Sequence, residues 1–140
     1  MADDRQKRRQ ELAATLEGRS DEEITQGVLA QDTDAVLGQI FAGMAEAFLP
    51  AKAGSQSAVI QYDINVGGTV HSYQLKIAGG KCELVKGAAG PARVTLTLQA
   101  PDFLRLVTGT LNGMQAFMTG KLKLTGDMMF AQVMQGWFEQ

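Results

Sequence analysis

The sequence predicts an α+β domain, an antiparallel five-stranded sheet with helices packed on one face. Two patterns carry that reading. Between Ala58 and Gln99 apolar and polar residues alternate, which gives each strand one dry face and one wet face. Between Asp32 and Phe48 the apolar residues recur every three or four positions, a helical stripe that needs a dry sheet face to lie on.

In chain order, "DDRQKRRQELAATL" reads as a polar first helix that Gly18 stops. "SDEEITQGVLAQ" opens with Ser20 and Glu23 at capping-box spacing, each satisfying a free backbone donor at a helix start. In "DTDAVLGQIFAGMAEAFLP" the stripe is Val36, Leu37, Ile40, Phe41, Met44 and Phe48, with Asp32 as N-cap and Pro50 as stop. "AVIQYDINV" turns Ile60, Tyr62, Ile64 and Val66 inward, and Gly67-Gly68 leads into "VHSYQLKIA", with Tyr73, Leu75 and Ile77 inward. Gly79-Gly80 turns again into "KCELVK", and beyond the loop "GAAGP" the strand "ARVTLTLQ" faces Val94, Leu96 and Leu98 inward. A short helix in "APDFLRLVTGTL", a helical or turn-like "NGMQAFMTG", the strand "KLKLTG" and a final helix from Asp127 to about Phe138 follow. There is no internal repeat.

A chain of 140 residues fits one domain, and its apolar and charged fractions, 45% and 20%, are ordinary for a globular protein. The formal net charge of -2 gives no drive towards nucleic acid. The basic run "RQKRR" lies between Asp3, Asp4 and Glu11 and reads as a solvated helix face. No apolar leader and no stretch of membrane-spanning length is present, so a soluble, cytoplasmic protein is the expectation. Cys82 is the only cysteine, which rules out an internal disulfide and a cysteine zinc cluster.

Catalytic chemistry finds little support. His71 is the only histidine and lies on a strand without a partner motif, so neither a Ser-His-Asp order nor a zinc site can be assembled around it. Cys82 shares a strand face with Leu84 and reads as a buried, inert thiol. Asp127 suits the N-cap of the last helix. Gly120-Lys121 lacks the upstream glycine spacing of a phosphate loop, and Leu122 stands where the magnesium-binding hydroxyl would be. A non-catalytic protein with no metal and no cofactor is the expectation.

The chemistry-poor end of the chain is instead rich in soft apolar side chains. Five of seven methionines (Met114, Met118, Met128, Met129, Met134) fall between Gly109 and Phe138, beside Phe117, Phe130 and Trp137. From Met128 to Phe138 eight of eleven residues are apolar, and on a helix they cover far more than the roughly 100° stripe that packing on one sheet requires. The surplus must face another helix, a second subunit or a bound ligand. Methionine adapts to variable shapes, and a sheet covered on one side leaves an interlayer gap where a pocket can open. A chain of ~15 methylenes buried there gains on the order of 12 kcal/mol, enough for binding without a charged anchor.

"VTLTLQAPDFLRLVTGTLNGMQAFMTGKLKLTGDMMFAQVM", Val94 to Met134, resembles the sterol carrier protein 2 (SCP2) family, as do "AVIQYDI" and the helix "DAVLGQIFAGMAEAF". The resemblance covers residues 32–138, which makes 32–140 the lipid-binding domain and 1–31 a helical extension. It implies an apolar tunnel between sheet and helices that takes fatty acid, fatty acyl-CoA, phospholipid, isoprenoid or sterol. By position the pocket draws on Phe41, Met44, Phe103, Leu106, Met114, Phe117, Met118, Met128, Met129, Phe130 and Met134. The ending "FEQ" departs from the peroxisomal tripeptide of animal members. Partners implied are the apolar lipid, a transient membrane contact and a homodimer through the last helix. A similar domain in bacterial alkylsulfatases receives the alkyl chain, so an accessory module presenting an alkyl substrate to a separate enzyme is the alternative.

Overall fold

The computed structural model describes residues 2–87 and 90–138, with the side chains of 2–6, 9 and 135 outside that description. Ala88 and Ala89 of the expected loop, the last two residues of "FEQ", and three side chains of the "RQKRR" face therefore lie outside the described residues, while Lys7 and Arg8 of that face are exposed. The helices are α1 (Ala2–Leu16), α2 (Asp21–Leu29), α3 (Thr33–Glu46), α4 (Pro50–Ala53), α5 (Ala100–Val107), α6 (Gly113–Met118) and α7 (Met128–Val133). The strands are β1 (Ala58–Val66), β2 (Thr69–Ala78), β3 (Lys81–Lys86), β4 (Val94–Gln99) and β5 (Leu122–Gly126), in the order β3-β2-β1-β4-β5.

The capping chemistry is as the sequence implies. Ser20 and Glu23 form the reciprocal box that opens α2, and Asp32 caps α3 through the Ala35 N–H. Gly67-Gly68 and Gly79-Gly80 all have positive φ, the backbone that two-residue hairpins demand, and they join β1–β2 and β2–β3. Along β1 the residues Ile60, Tyr62, Ile64 and Val66 are buried and Gln61, Asp63 and Asn65 only half so.

One pairing corrects the expectation of a purely antiparallel sheet. β4 runs parallel to β1, in the register Ile60↔Val94 to Asn65↔Gln99, while the other three pairs are antiparallel. The cause lies in β3. It runs in the direction of β1 and ends opposite Tyr73, in mid-sheet, so the chain needs to travel only about 14 Å sideways, three strand spacings, to start β4 at the free edge of β1. Its arrival is fixed where the Arg93 N–H donates to the Val59 carbonyl at 2.8 Å. Gly90, ahead of β4, lies against the wet face of the sheet beside Gln74, which is wholly buried. Its Nε2 donates to Gln61 Oε1 at 3.0 Å and to the Gly90 carbonyl at 2.8 Å.

Two helix ends also differ from expectation. α3 stops at Glu46, before Pro50, and Pro50 instead begins the single turn of α4. The chain leaves the helix there because Phe48 bridges to Phe138 and the Leu49 N–H donates to the Trp137 carbonyl at 2.6 Å. α7 likewise ends at Val133 and tightens into a 3₁₀ turn, Met134–Trp137, instead of running on as one helix.

Between the layers sits a cluster of rings. Phe41 of α3 is fully buried and meets Tyr73 at 4.7 Å, Phe103 of α5 at 5.0 Å and Tyr62 at 5.2 Å between centroids. Burial raises the Tyr62 phenol above its ordinary pKa, so it remains protonated. A polar latch adjoins the cluster. The Tyr73 hydroxyl donates to Asp34 Oδ1 at 3.0 Å, His71 Nδ1 lies 3.1 Å from the same oxygen, and Lys86 Nζ donates to Oδ2 at 2.8 Å. His71 thus has a structural partner that sequence spacing could not reveal. Hydrogen bonds from Lys86 and then Tyr73 hold the Asp34 carboxyl down at about 2.

Replacing Phe41 by alanine removes the only ring that touches the other three, and a loss of about 3–5 kcal/mol in denaturant unfolding is expected. The latch gives a pH signature. The folded pKa of Asp34 is below its unfolded value of 3.8, so its contribution is full above that value and is lost as pH falls through about 2. Wild type is expected to melt above Asp34→Asn at neutral pH, with the two melting curves converging near pH 2.

Candidate functional site

α6 is built by its two ends. Asn112 accepts the Met114 N–H at 2.8 Å and the Gln115 N–H at 3.3 Å, which starts the helix. Gly120, at φ 80°, stops it: its N–H donates to the Phe117 carbonyl, and the Lys121 N–H reaches back to the Ala116 carbonyl at 2.9 Å. That crossed pair is a Schellman stop, and it is the role the "TGK" segment plays here. Within this frame Met114, Phe117 and Met118 fall on one side at i, i+3 and i+4. They face outward, 58%, 40% and 78% exposed, while the small Ala116 is the residue buried underneath. The helix is amphipathic the wrong way round for a core element.

α7 repeats the inversion on a firmer base. Asp127 Oδ1 accepts the Phe130 N–H at 2.9 Å and Oδ2 accepts from Arg93 Nε at 3.2 Å. These partners, the backbone N–H foremost, lower the Asp127 pKa. The Arg93 guanidinium also lies 4.2 Å above the centre of the Phe130 ring, and Phe130 meets Trp137 edge-on at 5.2 Å. Gly126 permits the approach, since a Cβ there would stand 2.5 Å from the Arg93 carbonyl oxygen. So anchored, α7 buries Phe130, Ala131 and the following Met134, and leaves Met129 80%, Val133 52% and Met128 41% exposed. Both helices pack against β5, an edge strand whose Leu122 faces inward, buried.

The eleven residues expected at the site therefore divide in three. Phe41 and Phe103 belong to the central ring cluster, and Phe130 and Met134 to the floor beneath α7. Met44 and Leu106 are half-buried against the core. Met114, Phe117, Met118, Met128 and Met129 form an outward rim on α6 and α7. The ring cluster occupies the centre of the interlayer space. Two open grooves, of about 500 and 600 Å³, lie instead along α1, α2 and the Arg105 face of α5, and none of the eleven residues lines them.

Two ionisable groups away from this rim are also shifted. Cys82 is half-buried, and burial pushes its thiol up to about 11, which keeps it an unreactive thiol at neutral pH. Asp102 of α5 is buried where α2 meets α5, and burial, then the neighbouring Asp21 charge, raises its pKa. Arg105 Nη1 sits between them, 2.5 Å from Asp21 and 3.6 Å from Asp102, and ties α2 to α5. Sequence reasoning missed this clamp, because its members are separated by some eighty positions. Among the described residues no group of three His, Cys, Asp or Glu side chains is placed to hold a metal ion. No helix among them is long and apolar enough to cross a membrane.

The sequence profile of the SCP-2 sterol transfer family matches residues 37–139. The peroxisomal multifunctional enzyme type 2 of Mus musculus is 36% identical over 81 residues, which are 56% of this chain and 11% of that protein. A fatty acid-binding protein of Yarrowia lipolytica is 36% identical over 83 residues, 57% of this chain and 64% of that one. Among solved structures, sterol carrier protein 2 from Yarrowia lipolytica, in its apo form, aligns at 29% identity with a TM-score of 0.52, covering 69% of this chain and 77% of that chain. The chain thus spans only part of the curated relatives it matches, about a tenth of the mouse protein's length.

Proposed function

As the chain belongs to the SCP-2 sterol transfer family, we propose that it binds and carries an apolar lipid without performing chemistry on it. Residues 32–140 are the lipid-binding unit in this reading, and 1–31 a helical extension held on α5 through Arg105. One observation carries the proposal: α6 and α7 turn their large apolar side chains outward beside a buried apolar floor of Phe130, Met134 and Leu122. A folded protein rarely leaves so many large apolar groups together in water unless something covers them. Methionine suits the task because its three rotatable bonds let one surface fit guests of different shape.

In this reading the guest enters at the rim and lies against the floor. Met114, Phe117, Met118, Met128 and Met129 fold over it, while Phe41 and Phe103 set the inner limit. Long-chain fatty acids are the first ligand class to test, given the fatty acid-binding relative in Yarrowia lipolytica. Apolar walls discriminate poorly between neighbouring chain lengths, so a spread of co-purified acyl chains is expected rather than one species.

Organic extraction of the purified protein followed by lipid mass spectrometry is expected to release long-chain lipid in near-stoichiometric amount. Phe117→Asp and Met129→Asp place a charge on the rim at positions already open to water, so the fold should survive. Each is expected to weaken uptake of a fluorescent fatty acid by tenfold or more. Folded variants with unchanged uptake would refute the assignment of the rim.

A further inference from the structure

The sulfur atoms of the chain are unevenly placed between interior and solvent. Among the described residues the methionines fall into two groups. Met134 is buried beneath α7, and Met44 is half-buried against the core. Met114 and Met118 on α6 and Met128 and Met129 on α7 are exposed, Met118 and Met129 by about four-fifths of their surface. The single thiol is a poor rival for an oxidant. Cys82 lies half-buried on β3, and burial pushes its pKa up to about 11, so little of the reactive thiolate is present at neutral pH. The readily oxidised sulfurs that the described residues open to water therefore sit on the rim of the site proposed above.

We propose that these four methionines are a modification site at which hydrogen peroxide forms sulfoxides in the folded protein, Met118 and Met129 first, and that this oxidation closes the rim to an apolar guest. Such regulation rests on the carrier reading, since the rim is where the guest enters. In each event a lone pair of the thioether sulfur takes one oxygen of the peroxide. The O–O bond breaks, an S–O bond forms, and the other oxygen leaves as water with both hydrogens. The sulfur gives up two electrons and the peroxide accepts them, so the step balances without a base, a metal or a cofactor. A polar, water-holding group then stands where a flexible apolar one stood. An alkyl chain laid against it strips that water and offers no donor in exchange, so the guest is held less tightly. The fold does not follow. Asn112 and the Gly120 stop hold α6, and Asp127, Arg93 and Phe130 hold α7, none of them through the four exposed side chains. Sulfoxide is reducible, by one enzyme for each sulfur epimer, so the change runs in both directions.

The test is a peroxide titration of the full chain, read by peptide mass spectrometry and by uptake of a fluorescent fatty acid. Met118 and Met129 are expected to gain oxygen first, Met114 and Met128 next, and Met44 and Met134 last, with Cys82 unchanged through the first two stages. Uptake is expected to fall on the order of tenfold once the four rim positions are oxidised, at an unchanged melting temperature. It should return when both classes of methionine sulfoxide reductase and a thiol reductant are added. A variant carrying Met114→Leu, Met118→Leu, Met128→Leu and Met129→Leu has no sulfur there to oxidise. Its treated and untreated samples should take up fatty acid equally, whatever its own starting uptake. Oxidation of Met134 as early as Met118, four sulfoxides with uptake unchanged, or equal loss of uptake in wild type and the leucine variant would each overturn the proposal. Untreated wild type that takes up no fatty acid removes the carrier reading and this one with it, whereas uptake that oxidation leaves alone removes this one only.

Discussion

The meeting of Phe41 with Tyr62, Tyr73 and Phe103 decides how the rest of the molecule is arranged. It joins α3, the paired strands β1 and β2, and α5 at one point, with all four rings buried. Offset and tilted ring pairs of this kind add to the area they bury and fix relative orientation, so the layers cannot slide over one another. Tyr73 carries the constraint outward through its hydroxyl to Asp34, where Lys86 and His71 close the latch at the start of α3. With the centre of the interlayer space filled by these rings, spare apolar capacity lies where cover is thinnest, at the β5 edge under α6 and α7. The order of the fold thus runs from a rigid ring-filled middle to an apolar end built on two helices of six residues each.

Those two helices are too short to be stable alone and hold their shape through end contacts. Asn112 and the Gly120 stop define α6; Asp127, Arg93 and the close approach at Gly126 define α7. The anchors sit at the ends and on the inner side, and the outward side chains of both helices take no part in them. Methionines 118 and 129 are therefore free to respond to whatever arrives without loosening the helices that bear them. That separation of anchoring from contact is what an adaptable apolar surface needs.

Much of this frame was legible because it is local. The two Gly-Gly hairpins, the alternation in β1 and β4, the Ser20–Glu23 box and the Asp32 and Asp127 caps depend on residues a few places apart. The parallel β1–β4 pair was not legible, because alternation reports that one face is covered and says nothing about strand direction. The burial of Gln74 was not legible either, because its contact with the Gly90 carbonyl joins residues sixteen positions apart. The end of α3 was assigned to Pro50, yet the C-terminal segment ninety residues away sets it through Leu49 and Trp137. At the site, composition showed that the last helix has more apolar surface than one sheet can cover. It did not show which residues face out, because that depends on Phe130 being held under Arg93.

The division between a fixed centre and a responsive apolar end is tested most directly by hydrogen–deuterium exchange with and without a long-chain fatty acid. The ligand is expected to slow exchange in residues 113–118 and 128–137, and to leave the strands 58–66 and 94–99 and the ring-bearing part of α3 unchanged. Protection that rises in α3 and β1 while α6 and α7 exchange as before would contradict it, and so would exchange that ignores the fatty acid altogether.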